Sequence, residues 1–240
     1  MVVELDGKPA LGRLVGELPV IRLTAADALA DYLETHGLKR VAKRLANSGV
    51  IEVVSTAAPG IDDIVVLGKL KQLERSGEWD LVVVDGPAAG HAITFLLAAR
   101  SLLDTVRSGP IRTQAMEVLE MLADPTRCQV VLVTLPETTP VNELIETAYA
   151  LEERVGVQLG PLVINGVDEG ETLVTGPNTP TSLAAAAEYR SARRALHRRE
   201  IERLGNDLAF AQIHLPHLPT ADLDANDIRA LAEQLLRASP

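Results

Sequence analysis

Short apolar runs alternate along this chain with longer stretches in which apolar residues recur every three or four positions. The short runs are rich in Val, Leu and Ile, which is typical of strands covered on both faces. The longer stretches have the spacing of helices that bury one face. The alternation predicts an α/β protein with a doubly wound, mostly parallel sheet and helices on both faces. The predicted strands are Val2–Leu5, Val50–Ser55, Leu81–Asp85, Gln129–Thr134, Leu162–Asn165 and Ala209–His214.

The helical stretches carry start signals. Thr24, with Asp27 three residues later, is similar to a capping box, and two acidic residues follow Gly60 in the first turn of the next helix. We expect a single domain over residues 1–240, with a mobile loop over residues 168–181, where turn-forming residues cluster. The predicted helices are Thr24–Thr35, Ile61–Arg75, Ile111–Leu122, Thr139–Val155, Ser182–Leu204 and Leu223–Ala238.

Composition narrows the class of protein. With 23 basic and 33 acidic residues the net charge is −10, which argues against a protein whose main work is binding nucleic acid. A single cysteine, Cys128, excludes an internal disulfide and a cysteine zinc cluster. The most apolar span, Leu81–Ala99, contains Asp85 and His91, so we expect no stable membrane insertion. A cytoplasmic location is the expectation.

The segment Leu81–His91 has the sequence LVVVDGPAAGH and is the richest in candidate chemistry. Its apolar run delivers Asp85 to the end of a strand, where a small-residue loop begins. Open α/β sheets bind ligands at that position. Asp85 is a candidate for holding Mg²⁺ through water, and the alternative is a carboxylate that caps the turn. His91 is a candidate for responding to a γ-phosphate, and the alternative is an exposed residue of a helix N-terminus.

Two other strand ends carry polar residues. Asp6 follows the first strand and would lie at the same sheet edge as Asp85, where it can orient or deprotonate an attacking water. Its alternative is an ordinary strand-end carboxylate. Asn165 ends the strand LVIN, and its amide can contact a purine edge with paired donor and acceptor groups. An Asn-Gly turn with Gly166 is the equally weighted alternative.

The phosphate-binding loop GxxxxGK[ST] occurs nowhere in the sequence. The chain instead opens directly in a strand, Val2–Leu5. In doubly wound folds the strand that leads into this loop lies in the middle of the sheet, and its neighbours would otherwise carry unpaired backbone groups. We therefore expect that a β-loop-α unit that would precede Met1 is missing from this chain.

These motifs together resemble the ArsA-type anion-transporting ATPases, whose relatives include the tail-anchored-protein-targeting ATPases. DGPAAGH matches that family's switch II at Asp85, Gly90 and His91 and departs from it in the middle. Asp6 falls on the family's water-activating aspartate and Asn165 on its adenine-contacting asparagine. The resemblance extends to Pro59–Asp62 (PGID), Asp124–Thr126 (DPT), the run VLVTLPE, and Leu215 with Pro216 at the second adenine-side element.

The resemblance implies ATP and Mg²⁺ as ligands, and a homodimer or a heterodimer with an ArsA-like paralogue that closes on nucleotide. Catalysis would fall to Asp6, and nucleotide binding to Asp85, Gly90, His91, Asn165 and Pro216. The chain alone is expected to be inactive because the family's lysine-bearing phosphate loop is absent. Two alternatives stay open at this point: a non-catalytic subunit that regulates an intact paralogue, and a partitioning ATPase of the ParA/MinD type.

Overall fold

A computed structural model describes residues 1–5, 11–35, 37 and 60–238. The chain divides into two compact units, one formed by Met1–Gln129 with Ala150–Gln158 and the other by Val130–Tyr149 with Leu159–Pro240. The expected single domain over residues 1–240 stays a prediction, and the predicted strand Val50–Ser55 lies outside the described residues.

The first unit contains a parallel sheet of three short strands in the order β2-β1-β3. The sequence pattern missed β2, which has only three residues and follows closely on Pro19. The strands are β1 (Val2–Glu4), β2 (Val20–Arg22) and β3 (Val83–Asp85). The described helices are α1 (Leu11–Leu14), α2 (Ala25–Thr35), α3 (Ile61–Arg75), α4 (Ala89–Thr105) and α5 (Pro110–Ala123).

The predicted cap of α2 is present. The Thr24 hydroxyl accepts a hydrogen bond from the Asp27 N–H at 3.1 Å and donates one to the Asp27 carboxylate at 2.6 Å. These bonds satisfy a backbone donor that the first helical turn would otherwise leave free. Helix α3 has the predicted bounds and buries the middle of its sequence, from Ile64 to Lys71 with one exception, against its neighbours. Side chains of α4 and α5, such as Ala99 and Val118, complete this core.

The second unit contains a second three-stranded parallel sheet, in the order β4-β5-β6. Its core lies around Leu162, Ile164 and Leu204, which are fully buried. The strands are β4 (Val133–Thr134), β5 (Leu162–Val167) and β6 (Gln212–Pro216), and the helices are α6 (Thr138–Ala150), α7 (Thr181–Asp207) and α8 (Ala225–Ala238). Helix α6 continues as a π-helical turn, Leu151–Val155, which belongs to the first unit.

The fold class is confirmed: parallel strands alternate with helices in both units, as an α/β fold requires. The strands form two sheets of three in the described residues rather than one continuous sheet. Residues 168–180 contain neither helix nor strand, and α7 begins at Thr181. The mobile loop over residues 168–181 stays a prediction. None of the helices in the part of the chain that the structure describes is long and apolar enough to cross a membrane.

Both sheets end on apolar strands that are exposed. Strand β3 is the outermost strand of its sheet among the described residues, and Leu81, Val83 and Val84 are 67%, 49% and 37% exposed. A buried strand was predicted here, and the described residues leave it exposed. In the second unit β4 is likewise outermost, with Val131, Val133 and Leu135 exposed along one face.

Candidate functional site

The first unit brings the ends of β1 and β3 to the same level. The two strands pair in parallel, with Glu4 opposite Asp85, and the N–H of Leu5 donates to the carbonyl of Asp85 at 3.3 Å. Asp85 is therefore at the carboxyl edge of the sheet, as predicted, and its side chain is exposed. Asp6 lies outside the described residues, and the sequence places it directly after Leu5.

A short loop connects Asp85 to α4. Gly90 and His91 lie in the first turn of this helix, and the His91 N–H donates to the carbonyl of Ala88 at 2.9 Å. No side chain of the described residues caps the helix at Ala88, so its positive N-terminal end stays available to an anion. The His91 side chain is exposed. Gly90 and His91 thus lie close after Asp85 at the carboxyl edge of the same sheet.

Asp63, in the first turn of α3, is the acidic neighbour of His91. Its Oδ1 lies 4.0 Å from the Nε2 of His91. Burial raises the pKa of the Asp63 carboxyl above its ordinary value, while His91 acts in the opposite direction and Asp62 adds to the increase. The sequence motif PGID ended at Asp62 and did not single out Asp63, although the two acidic residues of that turn were evident as helix-start residues.

A cavity of about 120 Å³ lies beside this pair. It has room for a few water molecules and is well below the size of a site that encloses a nucleotide. Asp63 and His91 supply polar atoms to a wall that is otherwise mostly apolar. The other lining residues include Leu5, Leu23, Pro87 and Phe95.

Glu4 is a carboxylate that the sequence analysis did not single out. It is 5% exposed, and its Oε1 accepts a hydrogen bond from the N–H of Leu11 at 3.2 Å. The sequence does contain a signal for this residue, since Glu4 is an acidic residue within an otherwise apolar predicted strand. This bond attaches the start of α1 to the end of β1.

Asn165 was predicted to end its strand, but β5 continues two residues further, to Val167. Pro216 is the last residue of the neighbouring strand β6. Val167 of β5 is opposite Pro216 of β6, and the His217 N–H donates to the carbonyl of Val167 at 2.9 Å. The pairing shifts between Ile164 and Val167, where Gly166 has a φ of 75°. The irregularity leaves the Asn165 side chain exposed at the carboxyl end of this sheet.

The residues at the carboxyl edge of the first unit's sheet fit Mg²⁺ only as a single carboxylate that acts through water. Nowhere in the described ranges do three or more His, Cys, Asp or Glu side chains cluster as metal ligands. Asp85 alone offers a solvent-facing carboxylate at the strand end. Mg²⁺ keeps several waters and commonly binds one or two carboxylates together with substrate phosphates, so a single carboxylate acting through water is compatible with it.

Comparison with known proteins agrees with the resemblance drawn from the motifs. Residues 30–109 match the family model described as an anion-transporting ATPase. The chain is similar to the ATPase BagA of Mycobacterium tuberculosis, with 28% identity over 182 residues, which cover 72% of this chain and 51% of that protein. It is similar to an arsenical pump-driving ATPase of Acidiphilium multivorum, with 32% identity over 159 residues, 62% of this chain and 25% of that protein.

A plant protein gives the broadest match along this chain of the three. The ATPase GET3B of Arabidopsis thaliana is 19% identical over 245 aligned positions, covering 88% of this chain and 56% of that protein. The chain therefore spans about half the length of BagA and GET3B, and about a quarter of the arsenical pump-driving ATPase.

Proposed function

We propose that this chain, which is similar to the ArsA-type anion-transporting ATPases, forms the carboxylate-bearing part of an ATP-hydrolysing site. The observation that supports this most is that β1 and β3 end side by side, at the same edge of the sheet. The in-register pair of Glu4 and Asp85 puts the end of β1 at the edge where Asp85 and His91 lie, and Asp6 follows two residues after Glu4 in the sequence. Ligands of open α/β sheets bind at such an edge.

In this proposal Asp85 holds Mg²⁺ through water at the end of β3. The metal, when bound together with ATP, neutralises charge on the transferred phosphoryl group. Asp6 orients the attacking water and accepts its proton. The strand pairing supports this division of work, because neighbouring parallel strands deliver consecutive polar residues to one side of a sheet.

Gly90 and His91 carry the response to the nucleotide. They occupy the first turn of α4, whose N-terminal end has a positive dipole directed at the loop after Asp85. Asp63 lies 4.0 Å from His91 and serves as a positioning residue for its imidazole. In the second unit, we propose that Asn165 and Pro216 contact the adenine ring, because the exposed amide of Asn165 and the half-buried ring of Pro216 lie on neighbouring strands.

The phosphates need a cradle that these residues do not supply. We propose that a further parallel strand, followed by a glycine-rich loop with a lysine, pairs with the outer edge of β3. Leu81, Val83 and Val84 support this, because a strand with exposed apolar side chains on both faces is suited to the interior of a sheet. The sequence of this chain contains no such loop, so the strand would come from polypeptide outside these 240 residues.

We propose that the complete assembly is a cytoplasmic dimer, made with a second copy or a paralogue. A second candidate function is non-enzymatic: the chain completes and regulates an intact paralogue. The observation that favours it is the middle of the loop after Asp85, where Pro87 and Ala88 depart from the usual sequence of the family. Both candidates need the same additional strand.

The test begins with ATP turnover by the 240-residue chain alone, for which we expect none. The coding DNA directly upstream of Met1 is then read for an in-frame glycine-rich loop with a lysine. Protein expressed from that longer frame should hydrolyse ATP, and Asp85→Asn should lower its kcat by at least about 100-fold. The matched control is Asp80→Asn, an exposed carboxylate ahead of the same strand, which should leave kcat unchanged.

Three results would contradict the proposal. They are turnover by the chain alone, a longer frame that binds no ATP, and equal effects of the substitutions at Asp85 and Asp80. If no such frame exists and the chain stimulates or inhibits a co-purified ATPase paralogue, the regulatory function replaces the catalytic one.

A further inference from the structure

The second unit contains a larger cavity, of about 320 Å³, that has no part in the proposed nucleotide site. It lies between the start of α6 and the middle of α7. Its size falls at the lower end of the range for small-molecule sites. Its polar lining comes mainly from Glu137, Thr138, Thr139, Tyr189, Arg193 and His197.

His197 is the unusual member of this lining. It is 3% exposed, and neither ring nitrogen has a hydrogen-bond partner among the described residues. A buried polar group without a partner costs about 1–3 kcal/mol, so folded proteins rarely retain one unless something else satisfies it. A ligand in the cavity that His197 lines would supply the missing partner.

The start of α6 adds backbone donors. This helix has 13 residues, and the N–H groups of Thr138 and Thr139 receive no acceptor from the described residues. The positive end of the helix dipole favours an anion at this position. The Thr138 hydroxyl donates to the Oε1 of Glu200, 3.0 Å away, and thereby attaches the start of α6 to α7. The donors are thus held in place before any ligand arrives.

Arg193 supplies the positive charge at the rim. Its guanidinium is 3.4 Å from the carboxylate of Glu137, and both side chains are more than 40% exposed. An exposed pair of this kind is worth at most about 1 kcal/mol, so Arg193 can exchange Glu137 for another anion at little cost. Glu137 would then face the ligand as an acceptor for hydroxyl groups.

We propose that this cavity binds a phosphate group, free or carried on a small hydroxylated molecule. The phosphate oxygens accept from the N–H groups of Thr138 and Thr139, from Arg193 and from one ring nitrogen of His197. The remaining volume accommodates a small organic part beside Glu137. A phosphate suits this set of donors because its three terminal oxygens can each accept more than one hydrogen bond.

The proposal implies that binding takes up a proton. Burial lowers the pKa of His197, Arg193 and His217 lower it further, and Glu137 and Asp168 act in the opposite direction. A dianion beside the ring favours the protonated form. Binding of sulfate, which does not titrate between about pH 5 and 8, should therefore tighten as the pH falls through this range.

The experiment measures binding of inorganic phosphate, sulfate and glycerol phosphate to the full chain by calorimetry, with the His197 ring signals followed by NMR. Saturable binding that shifts these signals is expected, and tighter binding of the ester than of the free ion would identify a small phosphorylated molecule as the ligand. Arg193→Gln should weaken phosphate binding about tenfold or more. Arg198→Gln, an exposed arginine on the same helix, should leave it unchanged.

His197→Leu separates binding from folding. This substitution removes an unsatisfied polar ring, so the variant should fold at least as well as the parent chain while it loses the pH dependence of sulfate binding. The proposal is overturned if phosphate does not bind saturably, or if the substitutions at Arg193 and Arg198 weaken binding equally. It is also overturned if the His197 signals do not respond. None of these results depends on Asp85 or on ATP hydrolysis.

Discussion

The carboxylate of Asp63 and the imidazole of His91 lie 4.0 Å apart, from Oδ1 to Nε2, at the N-terminal ends of two helices of the first unit. Burial raises the pKa of Asp63, and His91 partly opposes this increase. The His91→Ala variant should therefore have a still higher Asp63 pKa. NMR titration of the Asp63 carboxyl carbon measures it directly, and an unchanged or lower value would contradict the assigned contact.

The same pKa shift affects stability. Because the folded-state pKa of Asp63 is raised, its contribution to stability is present below the unfolded pKa and is lost as the pH rises through the folded value. Asp63→Asn should therefore increase the free energy of unfolding more at pH 7 than at pH 3. Urea unfolding at the two pH values tests this, with Asp80→Asn, an exposed carboxylate, as the control.

Much of the fold could be predicted from the sequence, because apolar residues form short continuous runs in buried parallel strands and recur every three or four positions in helices. Gly60 and the two acidic residues after it gave the start of α3, whose predicted bounds match the structure, and Thr24 with Asp27 gave the cap of α2. Strand β2 was not accessible, because a three-residue strand offers no period to detect. The exposure of β3 could not be predicted either, because an apolar sequence is the same whether or not a neighbouring strand covers it.

The candidate site was accessible where a side chain ends a strand. Asp85 was predicted in this way, and β3 does end at it. Asn165 was predicted to end its strand too, but β5 continues to Val167, and the roles of both residues stay predictions. Asp63 and His197 were not found, because each depends on a neighbour far away in the sequence. The role of Asp6 stays a prediction, since that residue lies outside the described ranges.

A buried lysine provides a test of packing in the first unit. Lys71 is 6% exposed, and its ammonium donates to the carboxylate of Glu117 and, at 2.9 Å, to the amide oxygen of Gln114. Glu117→Ala leaves this charge buried without its counter-ion and should destabilise the protein by about 2 kcal/mol or more. Chemical denaturation measures the change.

The double variant Lys71→Met with Glu117→Met is the control for that prediction. It replaces the ion pair by apolar side chains and should lie within about 1 kcal/mol of the parent chain, because no buried charge remains unpaired. If Glu117→Ala were as stable as the double variant, Lys71 would reach water in the absence of its partner, and the burial described above would be wrong.

Asp168 and Arg190 fix the start of the loop that precedes α7. The guanidinium of Arg190 donates two hydrogen bonds of 2.7 Å to the carboxylate, and this pairing holds the pKa of Asp168 well below its usual range. Its contribution to stability, about 1 kcal/mol, is therefore present above the unfolded pKa of about 3.9 and is lost as the pH falls below it.

Asp168→Asn should lower the melting temperature more at pH 7 than at pH 2, because the contribution is lost progressively between the unfolded pKa and the lower folded one. It should also speed hydrogen exchange of the Gly170 N–H, which donates to the Asp168 carboxylate at 3.0 Å. Glu169→Gln, an exposed neighbour, is the matched control. An equal effect of Asp168→Asn at both pH values would show that the ion pair does not form.

The exposed edge of β3 predicts that the chain associates with itself when it is expressed alone. An uncovered apolar strand is a template for pairing with another chain, and a lysine placed on it opposes that pairing. Val83→Lys should therefore lower the fraction of oligomer measured by analytical ultracentrifugation. Val174→Lys, at an apolar residue 93% exposed in an irregular segment, should have little effect, and equal effects would contradict pairing through β3.

The π-helical turn after α6 marks a position at which one residue could be deleted from the chain. Leu151 and Val155 are buried at its two ends, and Gly156, with a φ of 79°, follows it. A π-helical turn holds one residue more than an α-helical turn. Deleting Glu153, which is exposed, would bring the two buried residues to a spacing of three, which still puts them on one face of an α-helix. This turn is therefore a position within a helix at which the chain tolerates the loss of a residue without shifting its neighbours out of the core.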